Sequence, residues 1–289
     1  MKTKTCLYGA LSLGLVAGIL RIVQYFTVID QDGFFIKGAL TDFTNGCLVG
    51  LLGVGVIFSF ICSLKQKEQV PFARLYPRGL ADFLFLALAV IAAAEGAYRI
   101  FLAAETTPLD VTALLLCLLC LLSGLGWFFL CKRKETPLAF FPVLHLGIFI
   151  ISYFWVTYQY IHVSGYIMMI LGLCALLLFV TALMKAVTGA SCSRGRMIFV
   201  SALAISCIPA TFAEAAFNPT FVNLLMLANG ALIFALAILT LLCLSKPLPE
   251  EEPAEEENEG PDLSTMNQFF SELPEEEETE EEQPNEQND

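Results

Sequence analysis

Apolar residues run through this chain in long unbroken blocks. Three windows, 43–64, 111–131 and 221–245, carry no charge at all. A hydrocarbon layer needs about 20 apolar residues per helix, so each window reads as one crossing. The longest charge-free run, 136–184, has 49 residues, too many for one crossing. A polar interruption at 159–165 divides it into two helices and a tight turn. Three further segments, 7–29, 80–104 and 197–217, are apolar apart from isolated charges. The pattern predicts an all-α integral membrane helical bundle with eight transmembrane helices in four hairpins.

The connections test that count. The N-terminus, the loops 65–78, 132–137 and 185–196, and Lys246 together hold 13 Lys and Arg, while the alternate loops hold only Lys37. Basic residues collect on the cytoplasmic side of membrane proteins. The asymmetry therefore expects both termini in the cytoplasm, and an odd number of helices would destroy it. Lys2 and Lys4 precede the first apolar run, but no small-x-small cleavage site leads into a hydrophilic segment, so that run reads as a retained anchor. Short loops and no N-x-S/T sequon fit a bacterial plasma membrane.

Charge divides the 289 residues further. Residues 1–246 hold all 16 basic and 10 acidic residues, a charge of +6, while 247–289 hold 18 acids and no base, a charge of −18. The net −12 therefore joins a cationic eight-span domain, 1–246, to an acidic cytoplasmic tail, 247–289. Low apolar content and dense charge predict disorder in that tail. A possible amphipathic helix at 262–273 is the exception, with Leu263, Met266, Phe270 and Leu273 on one face. It could dock on a cytoplasmic protein partner or on the chain's own basic loops; membrane lipids are the other expected partner. With no basic patch beyond short loops, no nucleic-acid partner is expected.

Membrane helices associate through small residues. Gly46, Gly50 and Gly53 mark such a face on the second span, Gly14 and Gly18 on the first, and Ala92–Ala94 with Gly96 on the third. These three spans are expected to form the tight interior. The Leu-rich fourth is expected to face lipid. Pro209 should kink the seventh span and free a carbonyl.

Ionisable groups inside spans are costly and mark function by default. Arg21, Glu95, Arg99 and Glu214 fall in the outer half of their spans, two of each sign. Gln24, Tyr25, Tyr98 and Asn223 join them there, as do Tyr158 and Gln159. Gly14, Gly18, Arg21 and Tyr25 share one helical face, and Glu95 with Arg99 has the favourable i, i+4 order. The expectation is a neutral network facing the interior, either lining a polar pocket or fixing helix register.

Other chemistry is sparse. Cys117-x-x-Cys120 reads as helix packing, because no second ligand pair accompanies it. His145 reads as an inner-half packing residue and His162 as an outer-loop residue. Asp30-x-Asp32-Gly33 begins like a calcium loop but lacks the later ligands. No cofactor fingerprint, metal set or nucleophile–base set stands out, so no metal, cofactor or catalytic residue is expected. The leading reading is a small-solute transporter or channel-like protein using the outer-leaflet Arg/Glu network. The alternative is a non-catalytic membrane sensor, scaffold or accessory subunit acting through its tail.

Overall fold

In a computed structural model the regular elements among the described residues are helices apart from two short strands. It describes residues 3–30, 35–64, 66, 68–105, 111–132, 137–157, 164–188, 192–217 and 221–246; at 104–105, 112, 156–157, 164–167, 214–217 and 221–223 it describes the backbone only. All of these belong to the unit Met1–Lys246. The tail, with Leu263, Met266, Phe270 and Leu273, lies outside them.

The elements follow the apolar blocks. They are α1 (Thr3–Thr27), α2 (Ala39–Ser63), β1 (Gln69–Val70), α3 (Phe72–Leu75), α4 (Leu80–Glu105), α5 (Val111–Cys131), a 3-10 turn (Pro137–Phe140), α6 (Phe141–Thr157), α7 (Ser164–Val187), β2 (Cys192–Ser193), α8 (Arg194–Phe217) and α9 (Phe221–Leu244). Eight of these helices, all but α3, are long and apolar enough to cross a membrane, as a multi-pass membrane protein requires. Their outer faces carry large exposed apolar side chains, such as Leu15, Ile57, Val90 and Phe101.

The centre of the bundle is α8. Its spanning window is 78% buried, against 22% for α2, although it is the least apolar of the eight. Beside large enclosed side chains such as Met197, Ile205 and Phe212, it buries five small ones, Ser201, Ala202, Ala204, Ser206 and Ala210. Small residues let backbones close on one another, so α1, α2, α7 and α9 all pack on α8. The expected interior of the first three spans is thus corrected. α1 and α2 do pack together, but α4 packs mainly on α5 and α9.

The glycine stripes divide in the same way. A Cβ at Gly46, Gly50 or Gly53 would meet nothing within 4 Å, so that stripe of α2 faces outward. Gly14 instead abuts the Ile205 carbonyl oxygen, and a Cβ at Gly18 would lie 3.1 Å from Pro209 Cβ. Pro209 sits inside α8 and has no N–H, so the carbonyl four residues earlier, Ile205, loses its helical donor. Gly14 brings α1 directly against that freed oxygen, where any side chain would collide with it. The lipid-facing expectation for the fourth span also fails in part, since Leu116, Cys117, Leu119 and Cys120 of α5 are buried.

One end of the bundle is tied by polar contacts. β1 and β2 pair antiparallel, Gln69 with Ser193 and Val70 with Cys192. Arg194 bridges Glu68 at 2.6 Å and donates to the Leu244 carbonyl at 2.7 Å. Arg74 donates to the Lys246 carbonyl at 3.2 Å. Tyr76 is fully buried, and its hydroxyl lies 2.7 Å from Thr240 Oγ1, which itself donates to the Leu236 carbonyl. The α2–α4 connection, the α7–α8 connection and the end of α9 therefore meet at one end.

Candidate functional site

The described charged residues in the interior of the spans, Arg21, Glu95 and Arg99, fall into two groups. The first joins α1 to α2. Arg21 and Gln24 are buried on α1, and Arg21 Nη1 donates to Gln24 Oε1 at 3.2 Å. Gln24 Nε2 in turn donates to Asn45 Oδ1 on α2 at 2.9 Å. Beyond α1, Ile29 bridges Phe35, and the Phe35 ring lies 6.0 Å from the Arg21 guanidinium carbon. A cation over a ring face gains electrostatic stabilisation. Tyr25 is half-buried, with its ring edge-on to Phe26.

The second group joins three helices. Glu95 on α4 is 3% exposed. Arg99, one turn later, donates to Glu95 Oε1 from Nε at 2.9 Å and from Nη2 at 2.7 Å. The Arg99 guanidinium also lies 5.4 Å from the Phe149 ring centre on α6. Tyr98 is half-buried beside this pair in sequence. Cys120 of α5 and His145 of α6 complete the group. Cys120 Sγ and His145 Nε2 are 2.9 Å apart, and both residues are buried. One ligand atom each from Glu95, Cys120 and His145 lies within 4.8 Å of the others.

This group borders a small cavity of about 20 Å3, room for one water-sized group. Glu95 and His145 line it together with apolar side chains of α6, α7, α8 and α9. Asn229 on α9 lines it too, and its Oδ1 has no hydrogen-bond partner among the described residues. An unmet acceptor, a carboxylate and an imidazole thus face one space.

The Cys120–His145 pairing is the feature that sequence reasoning missed, and two expectations change with it. Cys120 packs, but against an imidazole as well as apolar neighbours. His145 stands at mid-depth beside Glu95 and not in the opposite half. A span starting at residue 136 would hold His145 in its inner half, whereas α6 begins only at Phe141, after the 3-10 turn, and has 17 residues. Counted from the other end, His145 is 12 residues before Thr157, Cys120 is 9 after Val111 and Glu95 is 10 before Glu105. At 1.5 Å per residue these depths are all about 14–18 Å.

The remaining residues of the expected network lie outside the description. The side chains of Glu214 and Asn223, and residues Tyr158, Gln159, His162, Asp32 and Gly33, are not among the described ones. Asp30 is described and exposed. No family model, curated protein or solved structure matches this chain.

Proposed function

We propose that this chain is a multi-pass membrane protein that binds a small polar solute or ion at the cavity beside Glu95 and passes it across the bilayer. The observation that carries this reading is a single convergence. A carboxylate, an imidazole and an unmet amide oxygen line one cavity inside an otherwise apolar bundle, with the Arg99 guanidinium bonded to the carboxylate and the Cys120 thiol to the imidazole. Charged groups at that depth are expensive and are kept for substrate or ion pathways. The Arg21–Gln24–Asn45 chain is assigned the other role, fixing the register of α1 on α2.

The eight spans form four hairpins in a bacterial plasma membrane, with both termini cytoplasmic. The 13-to-1 distribution of basic residues supports that orientation. The acidic tail, 247–289, lies in the cytoplasm, where Leu263, Met266, Phe270 and Leu273 bind a protein partner. Uptake tests the reading. Full-length protein in liposomes is offered a panel of inorganic cations and inorganic anions, with amino acids and sugars as controls too large for the cavity. Accumulation of one class above that in empty liposomes, lost at least tenfold in Glu95→Gln, is the expected result. A panel with no uptake, or uptake unchanged by Glu95→Gln at equal protein incorporation, contradicts it.

A further inference from the structure

We propose that Glu95, Cys120 and His145 together bind a transition-metal dication, Zn2+. This rests on the reading of the cavity as a binding site and names its occupant. The three donors come from α4, α5 and α6, far apart in sequence, and are brought together by the packing of α4 on α5 and of α5 on α6. One oxygen, one sulfur and one nitrogen lie within 4.8 Å of one another on three buried residues. That mixture is a zinc donor set. Hard cations such as Mg2+ and Ca2+ take oxygen ligands and have no use for the thiol or the imidazole.

The geometry needs only a small change. Cys120 Sγ and His145 Nε2 stand 2.9 Å apart, a distance set by a shared proton. Tetrahedral zinc, with Zn–S about 2.3 Å and Zn–N about 2.0–2.1 Å, holds such a pair about 3.5 Å apart. The ion enters in place of the proton, and the two side chains separate by about 0.6 Å. Cys120 gives up its thiol proton to solvent, and His145 turns the Nε2 lone pair to the metal. Glu95 offers the oxygen that Arg99 does not use, because both Arg99 bonds fall on Oε1.

The fourth position faces the cavity, which has room for one water. Asn229 Oδ1, without a partner among the described residues, accepts a hydrogen bond from that water. Charge then closes. Zinc brings two positive charges; the thiolate would offset one, and loss of a second proton to solvent from the bound water would leave a hydroxide that offsets the other and still donates its one O–H to Asn229 Oδ1. Glu95 and Arg99 cancel each other throughout. The Arg99 cation beside the site lowers its affinity for another cation. A site that must release its ion requires such restraint.

The test uses the untagged full-length chain in detergent, stripped with chelator, re-exposed to Zn2+ alone and analysed for bound zinc. The same protein loaded with Co2+ is read for a thiolate-to-cobalt charge-transfer band. One zinc per chain and that band are expected in wild type. Cys120→Ser and His145→Gln, both close in size to the native residue, should weaken binding at least about tenfold and Cys120→Ser should abolish the band. Cys117→Ala, buried one turn away on α5, should leave both unchanged. Wild type that retains no zinc, or zinc retained equally by Cys120→Ser and His145→Gln, overturns the proposal. If zinc is absent while Glu95→Gln still abolishes uptake of another solute, the metal is excluded and the cavity reading stands.

Discussion

One buried and one half-buried side chain decide how much the Glu95 group contributes to stability. Removing one partner of a buried ion pair leaves an uncompensated charge, which costs about 3 kcal/mol. Arg99 keeps 19% of its side chain exposed, so part of its charge stays hydrated. Glu95→Leu should therefore lower stability by about 2–3 kcal/mol in detergent unfolding. The double change Glu95→Leu with Arg99→Met should recover most of that loss, because an apolar pair of similar volume packs without a desolvation cost. A double variant as unstable as the single one contradicts this account of the pair.

Tyr76 gives a second test at the same scale. Burial pushes its phenol well above the ordinary tyrosine value, while the Thr240 bond acts in the opposite direction. The folded chain therefore prefers the neutral phenol. That preference contributes in full below pH about 10 and fades as pH rises past it, because the unfolded chain ionises first. Tyr76→Phe should cost about 1 kcal/mol at neutral pH. The difference in melting temperature from wild type should then shrink and reverse above pH about 10. A difference that stays constant from pH 7 to 11 contradicts it.

Individual residues were legible unevenly. Arg21, Gln24, Glu95 and Arg99 announced themselves because a charge or amide in an apolar run has few explanations. Cys120 and His145 did not. A cysteine among leucines and a lone histidine are both ordinary packing residues. Their pairing depends on where α6 starts, and the 3-10 turn over Pro137–Phe140 has no apolar periodicity to reveal it.

At the scale of elements, the contact between α1 and α8 is the most specific. Gly14 meets the Ile205 carbonyl that Pro209 has freed, so a side chain there must push the two helices apart. Gly14→Leu should destabilise the bundle by about 1–3 kcal/mol. Alanine at Gly46, Gly50 or Gly53 meets open space and should be neutral or slightly stabilising, since alanine favours helix. Thermal melts of the four variants side by side check the contrast. Equal effects on both stripes would mean that α2 and not α8 organises the packing.

The periodicity of small residues located these stripes correctly but could not say which had a neighbour. A glycine stripe is the same in sequence whether it meets another helix or nothing. The signal that does separate them is composition. α8 combines the lowest apolarity with Ser201, Ala202, Ala204, Ser206 and Ala210, the make-up of a helix surrounded by protein and not by lipid chains.

At the scale of the whole molecule, the eight apolar blocks fixed the eight long helices, because block length alone sets a span. Helix neighbours were harder, since in an apolar surrounding no hydrophobic pattern singles out the inner face of a helix. The alternation of basic loops implied which connections share an end. The polar ties then explain how that end is held: Arg194 and Arg74 reach across to the last turn of α9. Arg194→Ala removes a bridge to Glu68 and a bond to Leu244. It should lower the melting temperature without changing the helix content read by circular dichroism at low temperature. A melting temperature unchanged from wild type would assign these contacts no role in holding the C-terminal helix.

The central claim is that the cavity beside Glu95 holds a small ligand. The most direct measurement is the thermal stability of the detergent-solubilised full chain across the panel of ions and solutes, wild type against Glu95→Gln. A ligand at a hundred times its dissociation constant should stabilise wild type by about 2.7 kcal/mol. The account predicts such a shift for one chemical class, absent in Glu95→Gln. A panel in which no class shifts wild type, or in which the shift survives in Glu95→Gln, would contradict it.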